Sequence, residues 1–138
     1  MPNIVLCYPI QERQLEWIRR ALPAEWQIIN AGQDGIAEAI LEADVFCGHA
    51  KVPVPWKTVV KNGRLKWIQS SAAGLDHCLT PEVVHSSIKV SSCSGLFANQ
   101  VAEQTLALLY GWHRQLPTFF PQKLDRRFVR QPTRDLHG

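Results

Sequence analysis

Asn3-Ile4-Val5-Leu6-Cys7-Tyr8 is an unbroken apolar run closed by Pro9, and the fold turns on how it is read. A short run with no polar alternation is what a strand covered on both faces needs, as the strands of a parallel sheet are. The next segment changes period. Leu15, Ile18 and Leu22 recur at helical spacing over residues 11–22, with charged residues between them and Pro23 as the stop. Residues 26–31 then read as a second strand closed by Gly32, and Asp34 is placed to cap a helix bearing Ile36, Ala37, Ile40 and Leu41. Residues 44–48 give a third strand; after Pro53 and Pro55 a short helix over 56–61 leads to a fourth strand at 65–70. Thr80 and Pro81 supply the N-cap and first position of another short helix, and residues 88–92 are a fifth strand. Strands separated by crossovers of this length predict a flavodoxin-like, doubly wound α/β domain with a five-stranded parallel sheet.

From Asn99 to Gln115 the pattern differs. Val101, Leu106, Leu108, Leu109, Tyr110 and Trp112 leave little polar face, so a long apolar helix is expected that needs cover from a second domain or a second subunit. Pro117 is expected to stop it and Pro121 to open a short amphipathic helix, with Phe120, Leu124 and Phe128 as an i, i+4, i+8 stripe ended by Pro132. The expected organisation is residues 1–98 as one domain and 99–138 as linking or dimerisation helices.

Composition bounds the function. The chain has 138 residues, enough for one core, and 46% hydrophobic with 20% charged residues argues against disorder. The net charge of +3 is concentrated at one end, where residues 114–138 hold six basic and two acidic side chains. That density, without a zinc-finger or RNP-type motif, reads as a solvated helix face and not a nucleic-acid surface. Cys7, Cys47, Cys78 and Cys93 form no CxxC pair, and three of them sit in apolar runs, so they read as reduced structural thiols. No basic leader or membrane-length apolar stretch follows Met1, and a cytoplasmic protein is expected.

In an open α/β sheet, ligands bind beyond the carboxyl ends of the strands. The first such loop, Pro9-Ile10-Gln11-Glu12, cannot cradle a phosphate, and no P-loop or GxGxxG occurs. The first and third strands end in Tyr8-Pro9 and Gly48-His49, without the carboxylates that a Mg²⁺-dependent phosphoacceptor needs. The fourth loop, Ser70-Ser71-Ala72-Ala73-Gly74-Leu75-Asp76, offers small residues and a glycine; it is either an anion nest or a tight turn. The fifth, Ser94-Gly95-Leu96-Phe97-Ala98-Asn99, leads into the long helix, whose N-terminus favours a nearby anion.

The run Leu65-Lys66-Trp67-Ile68-Gln69-Ser70-Ser71-Ala72-Ala73-Gly74-Leu75-Asp76-His77, followed by Ile88-Lys89-Val90, Gly95 and Val101-Ala102-Glu103-Gln104-Thr105-Leu106-Ala107-Leu108-Leu109, resembles the N-terminal half of the D-isomer-specific 2-hydroxyacid dehydrogenases, such as phosphoglycerate dehydrogenase and glyoxylate/hydroxypyruvate reductase. The resemblance implies that main-chain amides of Ala73 and Gly74 bind the carboxylate of a small 2-oxo or 2-hydroxy acid. It further implies that the loop His49-Ala50-Lys51-Val52 lines the pocket, with Lys51 either an anion contact or a solvated surface lysine. Phe97 stands where the family commonly has Asn, which implies an altered substrate contact.

The family's catalytic Arg, acidic partner and His, with its GxGxxG loop, belong to or adjoin the nucleotide domain. Asp135-Leu136-His137-Gly138 falls about where that domain's first strand is expected. The resemblance therefore implies no catalytic and no cofactor-binding residue in this chain, NAD or NADP held by an absent Rossmann domain, a homodimer, and no hydride transfer by these residues alone. His49, His77, His85, His113 and His137 lack a carboxylate at telling spacing and read as surface or structural histidines, and His77, Cys78 and His85 are too sparse for a metal site. Hinges are expected near Asn99 and Gly138. The alternative is a non-enzymatic dimerisation or ligand-sensing module of the same fold.

Overall fold

Val5 lies fully buried between parallel neighbours on both sides, as its unbroken apolar run requires. The computed structural model describes residues 1–136. Five strands, β1 (Asn3–Cys7), β2 (Gln27–Asn30), β3 (Val45–Gly48), β4 (Trp67–Ser70) and β5 (Lys89–Ser91), form one parallel sheet in the order β2-β1-β3-β4-β5. This is the flavodoxin-type order, with its switch point between β1 and β3. The register lines up Ile29, Val5, Phe46, Ile68 and Val90 across one face.

That row forms the core with Ile36, Ile40, Trp56, Val59 and Val83, so α2 (Ile36–Ala39), the 3-10 turn after it (Ile40–Glu42), α3 (Trp56–Asn62) and α4 (Pro81–Val84) cover this face. Phe46 packs edge-on to Trp56, ring centroids 6.2 Å apart. Because β1 connects to β2 in the opposite direction from the later crossovers, right-handed connections put α1 (Glu12–Ala21) on the other face. There Leu6 and Val45 are buried, while Trp67 and Lys89 are exposed. Asn3 locks the sheet's amino end: its N–H donates to Asp44 Oδ2 (2.9 Å), its Oδ1 accepts the Asp44 N–H (3.0 Å), and Arg64 donates to the same Asp44 oxygen (3.2 Å).

The chain divides into two compact units, Met1–Ser94 and Gly95 onward. In the second, α5 (Ala98–His113) is a 16-residue helix, and α6 (Leu116–Leu124) comes after it. Val101, Leu106, Leu108, Leu109, Tyr110 and Trp112 on α5 are all exposed, and no described helix is long and apolar enough to cross a membrane.

Three local expectations are corrected. The N-cap of α2 is Gly35 and not Asp34. The last helix opens at Leu116, with Pro117 in its first turn and Pro121 inside it, because Gln115 takes a left-handed conformation (φ 57°) and turns the chain early. It ends at Leu124, well before Pro132, since Arg126 is also left-handed (φ 51°). Phe128 is therefore outside the helix and the stripe is not helical; Phe120 and Phe128 nevertheless line one groove of about 550 Å³ with Lys123, Arg126 and Arg127. His137, and the hinge expected near Gly138, lie outside the described residues.

Candidate functional site

The loops leaving β3 and β4 lie side by side. Gly48 is where β3 ends: at φ 141° a Cβ there would come 3.0 Å from the Cys7 carbonyl carbon and oxygen, so only glycine lets the chain leave beside β1. Gln33, from the β2–α2 connection, then fixes the path of the β3 loop. Its Nε2 donates to the carbonyls of Cys7 and His49 (both 3.0 Å), and its Oε1 accepts the Lys51 N–H (2.7 Å).

The β4 loop is pinned at both ends. Buried Ser70 accepts the Ala72 N–H on its Oγ (3.0 Å), Ser71 N–H donates to the Gly48 carbonyl (3.2 Å), and Cys93 N–H donates to the Ala72 carbonyl (3.0 Å). Beyond the turn, the Trp56 indole donates to the His77 carbonyl (3.3 Å). Between these anchors Ala73 and Gly74 are exposed, and among the described residues their N–H groups find no acceptor in the chain. Two consecutive main-chain donors, flanked by a methyl group and a hydrogen, suit a small carboxylate.

His77 stacks on His49, ring centroids 4.1 Å apart and planes 24° apart, which joins the two loops by their side chains. Both ring nitrogens of His77 are buried without a hydrogen-bond partner. Burial first, and then the neighbouring His49, hold His77 below the ordinary imidazole value, with Asp76 partly opposing. Burial also raises Cys7, Cys47 and Cys78, the last to about 11, which keeps these thiols protonated and poor nucleophiles at neutral pH. Tyr8, pushed up to about 12 by burial and by Cys47, stays a phenol. No three of the described His, Cys, Asp and Glu side chains gather as a metal-binding group.

A dinucleotide does not fit the β1–α1 turn. Pro9 lacks an N–H, the Gln11 N–H is taken by Gln14 Oε1 (2.9 Å), and Glu12 places a carboxylate in the first turn of the helix. The adjoining cleft of about 410 Å³, at the ends of β1 and β2, is lined by Tyr8, Pro9, Ile10, Ala31 and Gln33 among others.

A scan against protein-family models finds no match, and a search of curated proteins finds none. Solved structures do match. A D-isomer-specific 2-hydroxyacid dehydrogenase family protein from Aeromonas salmonicida subsp. salmonicida superposes with TM-score 0.75 at 22% identity, over 99% of this chain and 44% of that one. The fold is that of the D-isomer-specific 2-hydroxyacid dehydrogenases. An NAD-dependent formate dehydrogenase from Staphylococcus aureus, in complex with NAD, shares this fold with TM-score 0.65 and 17% identity, over 94% of this chain and 43% of that one. Phosphoglycerate dehydrogenase from Lactobacillus plantarum does so with TM-score 0.55 and 18% identity, over 96% and 42%. The chain thus spans less than half the length of these structures.

Of the residues singled out in the sequence, Ala73, Gly74 and Lys51 lie on the two adjoining loops of the first unit. Phe97 belongs to the second unit, where it is exposed and immediately precedes α5. Sequence reading missed Gln33, and it left His49 and His77 as unrelated histidines. Nothing in the Gly-flanked run Gly32-Gln33-Asp34-Gly35 marks a side chain that bonds three main-chain groups.

Proposed function

We propose that the chain is the substrate-binding part of an NAD(P)-dependent D-2-hydroxyacid dehydrogenase, and that it seats the carboxylate of a small 2-oxo or 2-hydroxy acid on the N–H groups of Ala73 and Gly74. The observation that carries this reading is the pair of unengaged, exposed amides on a loop held rigid at both ends, at the carboxyl edge of a sheet shared with these dehydrogenases. Lys51, exposed and in none of the ion pairs among the described residues, adds positive charge on the neighbouring loop.

The nicotinamide that accepts or gives hydride, and the histidine that moves the proton, belong to a further Rossmann domain reached through residues 99–138. The 138 residues here orient the acid and do not oxidise it. The working enzyme is a cytoplasmic homodimer, and its substrate is a small organic acid, not nucleic acid or membrane.

Calorimetry with glyoxylate on wild type and Gly74→Val tests this reading. Charge-assisted hydrogen bonds worth about 1.5–3 kcal/mol each correspond to roughly millimolar binding. A Cβ at Gly74 stands 3.1 Å from Asp76 Oδ1, so valine displaces that side chain and covers the amides. Loss of at least ~10-fold in affinity is expected, and equal binding by both proteins removes the cradle.

A further inference from the structure

Two stacked imidazoles joining the candidate substrate loops are not needed to bind a carboxylate, and they have a chemistry of their own. Ring centroids 4.1 Å apart leave no room for two positive charges, and both His77 nitrogens are sealed from water without an acceptor or donor. A proton arriving on His77 has no partner in this conformation, so the ring must leave the stack to be solvated. His49 is tied to Gln33 through its carbonyl, and the main chain of the β4 loop stays anchored at Ala72, at the Leu75 carbonyl and at the His77 carbonyl. Departure of the His77 ring from the stack therefore leaves both loops attached and removes only the side-chain contact between them, which frees the exposed Ala73–Gly74 amides between the anchors to reorient.

We propose that the His49–His77 stack is a proton-sensitive latch, with His77 a positioning residue that holds the Ala73–Gly74 amides in their anion-binding arrangement only while its ring is neutral. This rests on the reading of Ala73 and Gly74 as the carboxylate cradle. The groups that act on the His77 ring are His49, from the β3 loop, and Asp76, from its own loop. Lys51 on the β3 loop and Lys57 on α3 are exposed, Cys78 is a buried thiol, and Glu82 on α4 is held low by its own N–H and by Thr80.

The sign comes from linkage. The latched state disfavours the proton, so latching is complete above the ordinary imidazole value of 6.5 and weakens as pH falls below it. A carboxylate ligand therefore binds more weakly in acid, although the protein becomes more positive. Simple charge attraction gives the opposite slope.

The test is amide and imidazole NMR of the full chain between about pH 7.5 and 5.5, a range that brackets imidazole titration, without ligand and with glyoxylate, for wild type, His77→Phe and His77→Ala. Without ligand, the Ala73 and Gly74 amide signals of wild type are expected to move with the His77 ring titration, at a midpoint below 6.5. Glyoxylate affinity should fall by up to roughly tenfold at one pH unit below the ordinary imidazole value. Phenylalanine can stack without titrating, so His77→Phe should keep the affinity of the neutral-ring state and lose the pH dependence; His77→Ala should bind weakly throughout. Amides that ignore the His77 titration, a pH response that survives in His77→Phe, or affinity that rises in acid overturns the latch. If glyoxylate leaves Ala73 and Gly74 unmoved above the imidazole range while the ligand-free titration behaves as described, the latch stands and the cradle reading fails.

Discussion

Replacing Gln33 with alanine removes three hydrogen bonds at once, to the carbonyls of Cys7 and His49 and from the N–H of Lys51. Each such bond contributes about 0.5–1.5 kcal/mol net. Lys51 is exposed, so water replaces that partner at little cost, whereas the two carbonyls face a half-buried side chain and lose more. A destabilisation of ~2 kcal/mol is expected for the sheet unit. With a urea slope of about 1–1.5 kcal/mol per molar, the unfolding midpoint should drop by roughly 1.5 M. Glutamate sharpens the test, since it can still accept the Lys51 N–H but turns a carboxylate toward two carbonyl oxygens. Gln33→Glu should be at least as unstable as the alanine variant at neutral pH. It should recover as pH falls toward about 4.3, where a protonated carboxyl can donate again. Urea denaturation followed by tryptophan fluorescence gives all three midpoints. If Gln33→Ala stays within about 0.5 kcal/mol of wild type, Gln33 does not hold these loops.

Other perturbations have separate causes. Phe46→Ala empties a fully buried position against Trp56 and should cost about 3–5 kcal/mol in the same denaturation assay. Gly63 ends α3 at φ 65° with open space around its missing Cβ, so Gly63→Ala should cost about 1 kcal/mol from backbone strain alone, read from the thermal midpoint. At Asp44 burial favours the neutral acid, but the Arg64 hydrogen bond, the Asn3 N–H and the Arg64 charge outweigh it and hold the carboxyl below its ordinary value. That stabilisation is complete above the ordinary value of 3.8 and is lost as pH falls through the lower folded value. In Arg64→Met the Asp44 carboxyl titration, followed by NMR, should move upward, and the share of the acid-induced loss of stability that comes from Asp44 should shrink.

Most of the sheet was legible because each strand carries its own signal. Asn3–Cys7 and Val45–Gly48 are apolar with little alternation, as strands with parallel neighbours on both sides must be, and most of the turns between elements hold proline or glycine. The chain beyond His113 was less legible, since its path depends on left-handed Gln115 and Arg126. Neither residue is of the glycine or asparagine type that announces such a turn. At the site, Ala73 and Gly74 stood out because small residues in a loop after a strand have a local meaning. Gln33 did not, because its partners lie 26, 16 and 18 residues away and no periodicity encodes that distance. The two histidines, at positions 49 and 77, meet only because β3 and β4 are neighbours and both loops turn inward.

Titrating the isotope-labelled chain with glyoxylate at about pH 7.5, above the ordinary imidazole value, and following every amide by NMR addresses the carboxylate cradle most directly. The expected result is a saturable shift of the Ala73 and Gly74 amides at millimolar ligand, with smaller changes at Lys51, and no comparable shift in Gly74→Val. Shifts centred elsewhere, or none at Ala73 and Gly74 as ligand rises, would contradict it.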